Sequence, residues 1–184
     1  MNVTFPIIAL TGLAGSGKST IGKALYNTLK QEYANIIYLD GDEFRDVLGV
    51  YDYDKQSRIN LAIKRSKFAK FLNDQGMIVI VTTISMFNEI YTYNRKNLQN
   101  YFEVYIKCDI EELIKRDQKN LYSKALRKEI QDVVGIDIKF DFPNSDLVIE
   151  NSCQDKLEEK VQMIIKTIKK GNNDNHQPRK SFRS

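Results

Sequence analysis

Residues 5–20 read FPIIALTGLAGSGKST, and their order decides the fold. Phe5 to Leu10 is a short apolar run closed by Thr11-Gly12, which reads as a buried strand. Gly12 to Ser19, GLAGSGKS, satisfies G-x4-G-K-[ST] in full. A helical pattern follows from Lys18 to about Lys30, with Ile21, Ala24, Leu25, Thr28 and Leu29 on one face. Strand, glycine loop and helix together form the context in which such a loop holds phosphate. Gly12, Gly15 and Gly17 let the backbone turn its N–H groups inward around an anion, and the helix N-terminus adds partial positive charge there. Lys18 is expected to reach the β- and γ-phosphates of a nucleoside triphosphate. The Ser19 hydroxyl is expected to help hold Mg²⁺.

Outward from this unit, apolar runs recur at Asn35–Leu39 (NIIYL), Met77–Ile84 (MIVIVTTI), Phe102–Lys107 (FEVYIK) and Asp146–Ile149 (DLVI). Between the second and third lies Lys55–Asn73, where Ile59, Ala62, Ile63, Phe68, Ala69 and Leu72 are spaced for one helical stripe, and Gly76 stands near a C-cap position. Each later strand is far enough from its predecessor for a crossover helix. This alternation predicts a three-layer α/β/α phosphate-loop kinase with a parallel sheet of about five strands, occupying residues 1–170. Residues 171–184, GNNDNHQPRKSFRS, hold almost nothing apolar and are expected to be a disordered tail.

Composition narrows the function. The chain has 184 residues, 42% apolar and 28% charged, which suits one globular domain. Lys and Arg number 28 against 24 Asp and Glu, an excess too small and scattered for a dedicated nucleic-acid binder. Apolar runs are too short to cross a bilayer, and no secretory leader is visible, so a cytoplasmic location is expected. Cys108 and Cys153 form no redox or metal motif. The one histidine, His176, lies in the polar tail, which argues against a His base or a His-bound metal and leaves a carboxylate as proton acceptor. GTPases need a guanine-reading N-K-x-D segment, absent here, and the strongest strand ends in Thr82-Thr83-Ile84-Ser85 where motor ATPases carry Asp-Glu. Phosphoryl transfer to a metabolite remains.

The second strand runs into Leu39-Asp40-Gly41-Asp42-Glu43-Phe44-Arg45, at the sheet edge where open α/β folds bind ligands. Asp42 is placed to take the proton of an attacking hydroxyl or to orient it, Asp40 to support Mg²⁺ through water, and Arg45 to grip an anionic acceptor. An Asp before EFRDVL is equally a helix N-cap. Residues 115–124, KRDQKNLYSK, suit a cationic flap over the phosphates or a solvated helix face.

Taken in order and spacing, LTGLAGSGKST (10–20), LDGDEFR (39–45), KRDQKNLYSKA (115–125) and EIQDVVGID (129–137) resemble the motifs of the adenylyl-sulfate kinase (APS kinase) family over residues 6–165. That resemblance implies ATP- and Mg²⁺-dependent phosphorylation of a ribose 3′-hydroxyl on a small nucleotide acceptor. It implies a donor site of Gly12, Ala14, Gly15, Ser16, Gly17, Lys18, Ser19 and Thr20 with Arg116, and Asp42 as the base or orienting group. On the acceptor side it implies Asp40, Arg45 and Arg58 as ligands, Ile84 and Ser85 in the pocket wall, and a lid from Arg116 to Lys124 that includes Lys119.

Departures cluster on the acceptor side. Val133 stands where the family has a Phe that stacks on adenine, Tyr53 falls near its stacking partner, Leu61 replaces an Asn, and Ile84-Ser85-Met86-Phe87-Asn88 lacks a Pro and an Arg. YDKQSRINLAIKRSKFAKFL (53–72) and VTTISMF (81–87) look more like the cytidine diphosphoramidate kinases of bacterial capsule modification. The expected acceptor is therefore cytidine diphosphoramidate, with adenylyl sulfate as the alternative and a non-catalytic nucleotide-binding regulator as a further one. Related kinases are often homodimers.

Overall fold

The computed structural model describes residues 6–174. Five parallel strands form one sheet in the order β2-β3-β1-β4-β5: β1 (Ile7–Thr11), β2 (Ile36–Asp40), β3 (Ile78–Thr83), β4 (Tyr101–Lys107) and β5 (Leu147–Glu150). The three central strands are the most buried, because helices cover both faces. Alternation along β1 shows how. Ile8 and Leu10 point to the side covered by α1 (Lys18–Leu29) and α7 (Leu157–Asp174), packing with Ile21, Leu25, Ile80, Ile106 and Ile164. Ile7 points to the opposite side, packing with Val79, Val81 and Ala69 beneath α3 (Lys55–Asp74) and α4 (Asn88–Asn97). A third apolar cluster closes the strand C-terminal end, where Leu13 and Tyr105 meet Met86, Phe87, Tyr122 and Val133.

The short helices α2 (Gly41–Leu48), α5 (Ile110–Arg116) and α6 (Leu121–Leu126) all sit near this C-terminal edge, with a 3₁₀ turn at Gln118–Asn120. Chain order explains the position of the crevice. From β1 the chain crosses to β2 at one edge and returns through β3, then passes β1 to reach β4 and β5 on its other side. The reversal at β1 opens a gap above its carboxyl end, directly over the glycine loop.

Two expectations shift. The α3 stripe buries Ile59, Leu61, Ala62, Arg65 and Ala69, whereas Phe68 is 41% exposed. Helix α7 continues through Asp174, past the change of composition at Gly171, because its backbone hydrogen bonding outlasts its apolar face. The rest of the expected tail, 175–184, lies outside the described residues, as do residues 1–5. No helix of the described residues is long and apolar enough to cross a membrane.

Candidate active site

The glycine loop is shaped by its backbone. Gly15 (φ 75°) and Gly17 (φ 92°) occupy the left-handed region, where a side chain would be strained. A Cβ on Gly12 would come within 2.7 Å of the Ile106 carbonyl oxygen. Helix α1 starts with Gly17 as its N-cap and no side chain capping it, so its first-turn amides remain available to an anion.

Side chains from elsewhere clamp the loop carbonyls. Tyr122, fully buried, donates its hydroxyl to Ala14 O at 2.7 Å. Arg116 donates to Gly15 O at 3.2 Å, and also to Asn151 O at 3.0 Å and Ser152 O at 2.6 Å. Asn151 donates to Ser16 O at 2.6 Å while accepting from the buried Lys160 ammonium at 2.7 Å. Sequence reasoning missed Tyr122, Asn151 and Lys160. Tyr122 and Asn151 lie 108 and 135 residues from the loop residues they hold, and Lys160 farther still, which left no local signal.

Lys18 donates to Leu13 O at 3.3 Å, curling back over the loop. Burial lowers its pKa from 10.5 to about 8, against the pull of the Asp42 and Asp40 carboxylates. Bound phosphates would supply the missing negative charge.

Asp40 gathers the site at the end of β2. Its Oδ2 accepts from Ser19 Oγ (2.9 Å), Thr82 Oγ1 (2.9 Å) and Tyr38 OH (3.0 Å), and its Oδ1 accepts from Asp42 N at 2.9 Å. Partial burial alone would raise its pKa, yet these donors together hold it below the usual carboxylate value. Burial also pushes Tyr38 up to about 12, so it stays a donor. The capping reading of this segment moves by two residues: Asp40, not Asp42, is the N-cap of α2. Asp42 is left exposed in the first turn, with Lys119 Nζ 3.8 Å from its Oδ2. Ser19 and Asp40 present hard oxygen donors side by side, a fit for Mg²⁺ completed by phosphate oxygens and water. Thr20 is exposed on the next position of α1.

Beyond α2 two guanidiniums share one aromatic ring. Arg45 lies 4.4 Å and Arg58 5.3 Å from the Tyr53 ring centroid. Arg45 is buried and donates to Asp52 O at 2.9 Å; Arg58 donates to Tyr53 O at 2.6 Å and Asp132 O at 2.8 Å. Burial and the facing Arg45 charge both lower the Arg58 pKa. Val133, next to Asp132, is only 3% exposed and packs in the apolar cluster with Leu13. It forms wall behind the site, with no open face for a base to stack on. Ser85 is buried at the end of β3 and Ile84 is half-buried.

The cationic stretch divides. Arg116 is tied to the loop, whereas Lys119 and Lys124 are exposed. Between them Asp117, Lys119 and Asn120 all have positive φ, at 37°, 59° and 56°. These strained residues are held because Asp117 Oδ1 accepts from the amides of Tyr122 and Ser123, each at 2.9 Å. Charge density in the sequence shows the cations but not which of them is anchored.

A phosphate loop opening a helix, a carboxylate beside its serine and arginines beyond a second carboxylate define a phosphate-loop kinase. The chain belongs to the adenylyl-sulfate kinase family, whose description, Adenylylsulphate kinase, matches residues 5–150. It is 70% identical over 162 residues to a cytidine diphosphoramidate kinase of Campylobacter jejuni, covering 88% of this chain and 95% of that one. It is 34% identical to a probable adenylyl-sulfate kinase of Archaeoglobus fulgidus, covering 82% and 98% of the two chains. Among solved structures, the APS kinase of Mycobacterium tuberculosis in complex with AMPPNP and APS superposes with a TM-score of 0.81 at 28% identity, over 90% of this chain and 98% of that one. The protein is an ATP-dependent phosphotransferase.

Proposed function

We propose that this kinase transfers the γ-phosphate of ATP to the ribose 3′-hydroxyl of cytidine diphosphoramidate, in the cytoplasm and in the service of capsule phosphoramidate synthesis. One observation carries the choice of acceptor: 70% identity to the Campylobacter jejuni cytidine diphosphoramidate kinase across 88% of the chain. The packing of Val133 agrees with it, since a buried valine offers an adenine no stacking surface, while the Tyr53 ring beside Arg45 and Arg58 is 45% exposed.

Phosphoryl transfer asks the protein mainly for positioning and charge. The loop amides of 12–17 and Lys18 would bind the triphosphate, with Tyr122, Arg116 and Asn151 fixing the loop through the carbonyls of Ala14, Gly15 and Ser16. Ser19 and Asp40 would hold Mg²⁺, which neutralises charge on the β- and γ-oxygens when bound. Asp42 would accept the 3′-hydroxyl hydrogen bond and align that oxygen. Arg45 and Arg58 would hold the diphosphoramidate bridge, and Lys119 and Lys124 would close over the reacting groups. The apolar surface on α2 and α3, where Val47 is 81% and Phe71 61% exposed, supports a second copy of the chain as partner, a homodimer that sedimentation would reveal.

A second reading, adenylyl sulfate as acceptor, is favoured by the family match over residues 5–150. ADP release measured with cytidine diphosphoramidate, adenylyl sulfate and the unconjugated nucleotides at equal concentration separates the two. Turnover of the cytidine conjugate alone supports the proposal. Preference for adenylyl sulfate replaces it with the second reading, and ATP binding without acceptor-dependent ADP release would mark a regulator.

A further inference from the structure

Helix α3 carries one guanidinium into the interior. Arg65 is 5% exposed and stands on the stripe of Ile59, Ala62 and Ala69 that faces the sheet. Its Nη2 donates to Thr83 Oγ1 and, at 2.9 Å, to Ser85 Oγ, and these two hydroxyls are 2.6 Å apart. Its Nη1 comes within 3.6 Å of where a Cβ on Gly41 would stand. The guanidinium therefore lies directly beneath the Asp40-Gly41-Asp42 turn.

Among the described residues, no ion pair includes Arg65. A buried guanidinium without a carboxylate partner is expensive and needs a reason. Burial, and then the charge of Arg45, lower its pKa to about 10. The carboxylates whose charge reaches it are engaged elsewhere, Asp40 with Ser19 and Asp42 with Lys119, and the Glu103 carboxylate lining the cavity beyond is held by Arg95 and Tyr101. On its other side Arg65 borders a cavity of ≈ 20 Å³ shared with Thr83, Ser85 and Thr11. The Thr11 hydroxyl is buried with no hydrogen-bond partner. One water fits that space and could satisfy a hydroxyl, but water supplies no countercharge. Arg65 thus feels the Asp40 and Asp42 charges only at a distance, with no carboxylate bonded to its guanidinium, and the Arg45 charge adds to the cost of burying it.

We propose that Arg65 is a positioning residue for the phosphoryl acceptor: it fixes the Ser85 hydroxyl in the pocket wall and sets a positive charge behind it, selecting an acceptor with two or more negative charges. The inference rests on the acceptor site proposed above. Its signature is a split between substrates. Arg65→Leu is expected to raise the KM for cytidine diphosphoramidate by about tenfold or more while leaving the KM for ATP within about twofold. Arg65→Lys, which keeps the charge and loses the fork, recovers part of that loss. Ser85→Ala raises the same KM, and adding it to Arg65→Leu costs much less than the product of the separate effects.

Steady-state kinetics on the four variants and the unsubstituted enzyme, with thermal melts alongside, test this. A folded Arg65→Leu with an unchanged acceptor KM overturns the proposal, as does a parallel loss for ATP and acceptor, which a purely structural role would give. If Arg65→Leu does not fold, unchanged acceptor KM in both Arg65→Lys and Ser85→Ala overturns it equally. Absence of turnover by the unsubstituted enzyme would instead overturn the assignment of the acceptor, and this inference with it.

Discussion

The Ser19 hydroxyl and the Asp40 carboxylate meet at 2.9 Å, joining the first turn of the phosphate-loop helix to the end of β2. The phosphate loop and the segment after β2 are connected through this one carboxylate, which also holds Thr82, Tyr38 and the Asp42 amide.

Asp40→Asn puts an amide among donors that need an acceptor. Losing a hydrogen-bonded charged group of this kind commonly costs about 1–3 kcal/mol of stability, so the Tm should fall, and the Mg²⁺ requirement should rise. Because the folded pKa of Asp40 lies below 3.8, its stabilisation is present above that value and lost as pH falls through the folded pKa. The Tm gap between the parent and Asp40→Asn should therefore close in strong acid, and melts from pH 7 down to acid measure it.

Asp42 is exposed and caps nothing. Asp42→Asn should fold and bind ATP normally while turnover falls by about 10²–10⁴-fold, the range for loss of a positioned base. Turnover near the parent level, with intact acceptor binding, would remove Asp42 from the chemistry.

The Lys18 ammonium, at about 8 in the free protein, is pulled up again when phosphates arrive. Below that pH the lysine is charged before and after binding. Above it, the free protein must take up a proton to bind ATP, so affinity should decline as pH rises through about 8. Calorimetry at pH 9 in two buffers of different ionisation heat should show net proton uptake, and Lys18→Met should abolish it.

Asn151 links the Ser16 carbonyl oxygen to the buried Lys160 ammonium. Asn151→Ala leaves both without that partner and should cost about 1–3 kcal/mol of stability. ATP affinity should fall with it, because the loop carbonyl is no longer restrained; thermal melts with and without ATP would show both effects.

Val133→Phe is a different kind of test. Sequence resemblance alone suggests that it would restore stacking and raise activity on adenylyl sulfate. With Val133 3% exposed among Leu13 and its neighbours, the larger ring should instead overpack the cluster at about 1–3 kcal/mol. The expected result is a lower Tm with no gain on adenylyl sulfate, checked by melting and by the KM for that acceptor.

Local patterns were enough for the α/β/α fold and for the phosphate loop. A continuous β-branched run such as Ile78–Thr83 has only one comfortable place, the centre of a parallel sheet, and G-x4-G-K-S between strand and helix leaves its amides one task. In the LDGD segment the strand end and its carboxylates were legible as neighbours in the chain, whereas which aspartate caps α2 was not. What the tertiary structure decided are relationships across long chain separations: Asn151 and Tyr122 on the loop carbonyls, Val133 as wall behind the acceptor site, Arg116 as a clamp anchored to the loop. Arg65 lies between these cases. Its spacing, three residues after Ala62 and four before Ala69, puts it on the apolar stripe of α3, a signal that sequence reasoning missed. Only the meeting of that face with Thr83, Ser85 and Gly41 says what the charge faces, because the energy of a buried ion depends on what surrounds it in space and no local pattern records that.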